Sequence, residues 1–185
     1  MKNTNNFIFK GIHIKICLII LIVNCCESPQ PKFTLDEIPL IPLPRLVNKS
    51  EELLNVNKIQ SIKIYDSDKI LNPIGNHLRA FWEDHTSKEL VIIHDDLDLN
   101  PTISLEIKND LFSNDEAYTV KIGIDKIKIT GKTAEGVYRG VKTLEQVLKL
   151  NDFNDNSNKL FLPGGEITDQ PSYEYRGAML DVSRH

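Results

Sequence analysis

Cysteine is almost missing from this chain: of 185 residues only Cys17, Cys25 and Cys26 are cysteines, and all fall within the first 26. Everything after them can form neither a disulfide framework nor a thiolate zinc site, so the folded part must be held by a continuous packed core. Long apolar runs are missing too, since the longest, residues 16–23, is too short to cross a bilayer as a helix. No glycine-rich phosphate loop, HExxH, calcium loop or GxSxG occurs, which removes the usual short signatures of nucleotide, zinc-protease and serine-hydrolase chemistry. There is no surplus of base: 22 Lys and Arg stand against 26 Asp and Glu, for a formal charge of −4. With no series of aromatics for stacking, this balance excludes nucleic acid as a partner. What remains is a globular composition, 41% hydrophobic and 26% charged, of a length that suits one ordinary domain with short extensions.

The first segment, MKNTNNFIFKGIHIKICLIILIVNCC, places Lys2, Lys10 and Lys15 before the apolar run and contains no acid. That order is expected of a cleaved export signal spanning residues 1–24. IVNC resembles a bacterial lipoprotein processing box, which makes Cys25 the expected lipidation site and the membrane a partner through the anchor. A plain secretory signal and a buried N-terminal strand are the other readings. Loss of residues 1–24 would remove three lysines and no acid, lowering the formal charge from −4 to −7. The proline-punctuated, polar residues 25–37 then read as a tether.

From residue 38 the periodicity changes to that of a folded unit, expected over residues 38–170. LIPLPRLV reads as an edge or irregular strand, because its prolines cannot donate to a central ladder. IQSIKIYD alternates as a half-solvated strand, and Leu71, Ile74, Leu78, Phe81 and Trp82 have helical spacing that predicts a helix over 71–83. LVIIHDD, TISLEIK, EAYTVKIG and KIKITG read as four further strands, the last two joined as a hairpin around Ile124 and Asp125. Ala134, Val137, Val141, Leu144, Val147 and Leu148 form one apolar stripe and predict a helix over 133–150. Gly136 and Gly140 lie on that helix, at up to about 1 kcal/mol each against alanine, which suggests close approach to another backbone or unusual curvature. NDFNDNSN is a loop, and LFLPGGEITDQP is expected as a short strand pair or extended cover with a turn at residues 163–165. The order defines an α+β fold, a mostly antiparallel sheet with helices on one face.

Few residues in this unit carry obvious chemistry. The acidic pairs Glu51 and Glu52, Asp95 and Asp96, and Asp115 and Glu116 are of a kind that usually faces water or caps turns, and His94 has no second histidine at ligand spacing. His77 and His85 flank the Leu78 to Trp82 seam and read as surface residues or caps. Phe81 and Trp82 offer either a sugar-stacking face or core packing, with the helical spacing favouring the core; Tyr138 with Arg139 has the same ambiguity.

After Pro171 the pattern shifts again. In YEYRGAMLDVSRH, Arg176, Ala178, Leu180 and Val182 fall on one side of an extended segment, and Tyr175, Gly177, Met179 and Asp181 on the other. Apolar residues on both sides suit a strand covered on both faces, the beginning of a parallel α/β architecture.

Together with IPLPRLV, YTVKI, KIKITGKTAEGVYRGVKTLEQVL and PGGEITDQPSYEYRG, this ending resembles bacterial β-N-acetylhexosaminidases of glycoside hydrolase family 20. The resemblance covers residues 38–185: the family's non-catalytic N-terminal α/β domain, then over residues 171–185 the first strand of its (β/α)8 TIM barrel. It implies hydrolysis of terminal N-acetylglucosamine or N-acetylgalactosamine with retention, the substrate's own acetamide acting as nucleophile while an Asp-Glu pair orients it and donates the proton. It implies amino-sugar-containing glycans as partners, no cofactor and no metal. By the resemblance Arg176 contacts sugar hydroxyls, with its rigid fork of donors, and Asp181 and His185 support the barrel mouth; an ion pair closing the domain junction is the other reading of Arg176. No acidic pair in these 185 residues matches the catalytic one, so no catalytic residue is assigned. The expectation is a chain cut within its barrel, inactive alone; a surface carbohydrate-binding or scaffold module is the alternative function.

Overall fold

The computed structural model describes residues 33–65, 69–94, 102–110, 112–151, 160–173 and 176–177. All lie in one compact unit, Pro31–His185. Seven strands, β1 (Leu46–Asn55), β2 (Ser61–Tyr65), β3 (Val91–Ile93), β4 (Thr102–Ile107), β5 (Tyr118–Ile122), β6 (Lys126–Gly131) and β7 (Phe161–Asp169), form a single sheet in the order β1-β7-β5-β6-β4-β2-β3. Two helices, α1 (Asn72–Thr86) and α2 (Ala134–Asn151), touch each other and pack on the same face of it.

The α+β class and the placement of both helices follow the sequence reading, but the sheet is mixed instead of mostly antiparallel. β1 with β7, β7 with β5, and β5 with β6 pair antiparallel, whereas β6 with β4, β4 with β2, and β2 with β3 pair parallel. The reason lies in the connections. A helix between two strands of one sheet returns the chain to the end where it started, so the next strand runs in the same direction. α1 does this between β2 and β3, and α2 between β6 and β7, leaving β1 and β5 as the two strands that run the other way.

Two further expectations are corrected. LIPLPRLV supplies only the first two residues of β1; the strand is made by Leu46–Asn55, at the sheet edge, with Pro42 and Pro44 left outside the ladder. PGG in LFLPGGEITDQP is no turn, for β7 runs straight through it between β1 and β5. The glycines serve a close strand approach, because a Cβ on Gly165, whose φ is +140°, would stand 2.3 Å from the Asn48 carbonyl oxygen. The register with β1 shifts nearby, between Lys49 and Leu53, which is the irregularity these glycines accommodate. Of the strand expected within residues 171–185, residues 171–173 and 176–177 are described and belong to no strand, and the remainder lies outside the described residues.

The interior sits between helices and sheet. Ile62 and Ile64 of β2, Ile103 and Leu105 of β4, Val120 and Ile122 of β5, and Ile127 and Ile129 of β6 are buried there with the α2 stripe. Pro73 occupies the first turn of α1, where its missing N–H costs nothing, and Ser87 ends the helix in the left-handed region with its N–H on the Glu83 carbonyl. Thr133 caps α2 by accepting from the Gly136 N–H. The opposite face of the sheet is polar, with Ser61 Oγ on Thr102 Oγ1 at 3.0 Å and Glu106 paired to both Lys108 and Lys128.

Candidate functional site

β2, β4, β6 and β7 all end at the same edge of the domain, where β5 begins; the register sets Ile107, Gly131, Tyr118 and Asp169 side by side. α2 starts there as well, three residues after β6 ends. The two glycines suspected of close approach explain how. A Cβ on Gly136 would lie 2.4 Å from the Ala117 carbonyl oxygen, and one on Gly140 would lie 2.6 Å from Ile129 Cγ2. With no side chain at either position, the first turns of α2 rest directly on β5, β6 and the turn of residues 114–117.

That turn is held from several directions. Asn114 accepts the Glu116 N–H at its side chain (2.9 Å) and the Ala117 N–H at its carbonyl (3.1 Å). Thr133 Oγ1 donates to the Asp115 carbonyl at 2.7 Å, and Lys132 reaches the Ser113 carbonyl at 3.0 Å and the Asp115 carboxylate at 2.8 Å. Glu116 therefore projects from a fixed backbone. Arg139 of α2 donates to its Oε2 at 3.1 Å and is itself held by Glu135, one turn earlier, at 2.8 Å. From the other side Arg176 places Nη2 at 2.5 Å from both Glu116 oxygens. The Arg176 hydrogen bond, opposed by partial burial and aided by the charges of both arginines, holds the Glu116 carboxyl below the usual glutamate range.

Beneath this seam, Tyr118 points inward. Its hydroxyl lies 2.6 Å from Thr143 Oγ1 and donates to Asp169 Oδ2 at 3.4 Å, while Asp169 Oδ1 accepts the Arg45 N–H. Burial, only partly offset by the Thr143 hydrogen bond, pushes the phenol up to about 12. It is thus a neutral structural link between the arm before β1, the end of β7 and α2.

The other candidates are placed as follows. Trp82 is fully buried, which settles it as core, and Phe81 is half-buried with its ring stacked on His85 at 4.0 Å. His85 Nδ1 also meets the Phe81 carbonyl at 2.9 Å, while His77 Nε2 lies 2.7 Å from the buried Glu145, which pairs with Lys142 as well. Glu51 and Glu52 are exposed on β1, Asp115 and Glu116 are each bound to a cation, and His94 is exposed. Asp95, Asp96, Asp181, His185 and Cys25 lie outside the described residues. The sequence pattern points to an acid that faces water or caps a turn; Glu116 does sit in a turn, but its carboxylate is paired with Arg139 and Arg176. The turn residues Ser113 and Asn114 just before β5, with the glycine-bearing helix, were the available signal that this acid is held in place.

One seven-stranded mixed sheet, two crossover helices on one face and a seam of charged side chains where α2 begins define a single α+β domain. The family model described as glycosyl hydrolase family 20, domain 2, matches residues 37–170, and the chain belongs to that family. It is 28% identical over 176 residues to a β-hexosaminidase of Porphyromonas gingivalis, covering 92% of this chain and 22% of that protein. Among solved structures it resembles the family 20 β-N-acetylhexosaminidase of Streptomyces coelicolor, with a TM-score of 0.66 and 26% identity over 85% of this chain and 31% of the other. The N-acetyl-β-hexosaminidase of Streptomyces plicatus, solved in complex with Thio-NAglucal, gives 0.65 and 28%, over 85% and 30%. The chain thus spans less than a third of the length of these relatives.

Proposed function

We propose that the protein to which this domain belongs is an exported β-N-acetylhexosaminidase that removes terminal N-acetylglucosamine or N-acetylgalactosamine with retention. The observation that carries this reading is the match of the family's domain 2 to residues 37–170 together with likeness to a β-hexosaminidase over 92% of the chain. The substrate's acetamide serves as the nucleophile, so the protein's task is to orient it and to protonate the leaving oxygen, without metal or cofactor. In this reading the two tasks fall to an acid pair outside residues 1–185, and these residues alone are expected to give no turnover.

Arg176 contributes a sugar contact in this scheme. Its guanidinium has five N–H donors. Among the described residues the pair with Glu116 engages Nη2, and we assign Nε and Nη1 to neighbouring sugar hydroxyls. Asp181 and His185 support the same region. Residues 1–24 direct export and Cys25 carries the lipid that tethers the enzyme to a membrane at the cell surface or in the periplasm.

The activity is tested by assaying a form that extends beyond residue 185 through a barrel on an aryl N-acetyl-β-glucosaminide. Turnover supports the reading, and a folded protein without it overturns the reading. For the anchor, Cys25→Ser should move the protein from the membrane to the soluble fraction; unchanged membrane association would contradict lipidation at Cys25.

A further inference from the structure

We infer that Glu116 is a positioning residue for Arg176, a fixed carboxylate through which the accessory domain sets where that guanidinium points. Three observations carry this beyond an incidental surface contact. The Glu116 backbone is fixed by Asn114, and the flanking residues are tied to Lys132 and Thr133 at the start of α2. The carboxylate is also blocked from swinging, because Arg139 holds Oε2 and Glu135 holds Arg139. Lastly, β7 delivers the chain to this place: Asp169 pairs with Tyr118, so the residues leaving β7 pass the turn that carries Glu116.

A lone exposed ion pair adds little to stability, and Arg176 and Arg139 are each nearly half exposed. What a fixed acceptor supplies is direction. A guanidinium held at one nitrogen keeps its remaining donors in a defined plane, which lessens the freedom lost when it meets a ligand. The catalytic consequence rests on the reading of Arg176 as a sugar contact; the holding of Arg176 by Glu116 does not.

The test has two arms. In the first, the 185-residue chain and its Glu116→Gln variant are treated with trypsin under native conditions, and cleavage after Arg176 is compared with cleavage after the exposed Lys69. Release of the guanidinium should raise cleavage at Arg176 roughly fivefold, the factor equivalent to about 1 kcal/mol, with Lys69 unchanged. An unchanged ratio overturns the proposal. Should the variant fold poorly, about 1 M salt added to the unaltered chain must raise the same ratio, since it shortens the screening length to about 3 Å; no rise overturns the proposal equally. In the second arm, Glu116→Gln in a barrel-bearing form should raise KM about fivefold with kcat changed less than about twofold. Unaltered KM beside released Arg176 overturns the positioning role and leaves the hexosaminidase reading standing, whereas an inactive parent form with protected Arg176 overturns only that reading.

Discussion

Along α2, Val137, Val141, Leu144, Val147 and Leu148 are at most 1% exposed, while Arg139, only two residues beyond Val137, has a side chain 46% exposed and ends on Glu116. One helix thus serves two regions built on different physics. Its inner face belongs to an apolar interior, where a missing methylene leaves a cavity and an added one a clash. Its first turns belong to a charged seam, where each contact is worth little and geometry matters more than energy. The difference teaches where to expect robustness: substitutions in the interior should unfold the domain, whereas those at the seam should leave it folded and redirect a single side chain.

The largest effect should come from Trp82→Ala, which empties the centre of the space under α1 and is expected to cost about 3–5 kcal/mol in urea unfolding. Next comes Gly136→Ala, at the point where the two regions meet. Its new Cβ would confront the Ala117 carbonyl at 2.4 Å, so the helix must move off the turn, at about 1–3 kcal/mol. That shift should also raise cleavage after Arg176, which an interior substitution of similar cost far from the turn should not do while the protein remains folded.

Tyr118→Phe removes the Thr143 and Asp169 hydrogen bonds and should cost about 1 kcal/mol at neutral pH. Because burial raises the folded-state value to about 12, the contribution of the neutral phenol is fully present below the ordinary tyrosine range and is lost as pH rises toward 12. Spectrophotometric titration should therefore show one tyrosine ionising late, and its absence from the Tyr118→Phe profile checks the assignment. The smallest effect on stability belongs to Glu116→Gln, expected below about 1 kcal/mol. Here the folded-state value is depressed, so the wild-type advantage holds above the ordinary glutamate range and fades as pH falls through the lowered value. Unfolding curves of the two proteins should converge in acid.

Much of the interior was legible because burial imposes a period. The alternation of Ile62 with Ile64 gave β2, the spacing of Val137, Val141 and Leu144 gave α2, and Gly136 and Gly140 announced a close approach that the structure contains. The parallel half of the sheet was missed because strand direction leaves no periodic mark; it follows from what the helices connect. Pro163 to Gly165 misled for a related reason, since a Pro-Gly-Gly run signals a turn locally, and only the closeness of β1 to β7 requires those glycines in a strand. Of the seam, Arg176 was singled out through family resemblance, but its partner was not. Residues 116 and 176 are sixty positions apart, and neither period nor composition links them.

The proposal to be tested first is that this domain belongs to an amino-sugar hydrolase in which Arg176 touches the sugar. The most direct measurement is the hydrolysis of an aryl N-acetyl-β-glucosaminide by a form extending through the barrel, beside its Arg176→Lys variant. Lysine keeps the charge but loses the planar fork. The account predicts turnover by the parent form and a fall in kcat/KM on the order of a hundredfold in the variant, as expected for about 2–3 kcal/mol of lost charge-assisted hydrogen bonding. Equal kcat/KM in both proteins, or no turnover by the folded parent form, would contradict it.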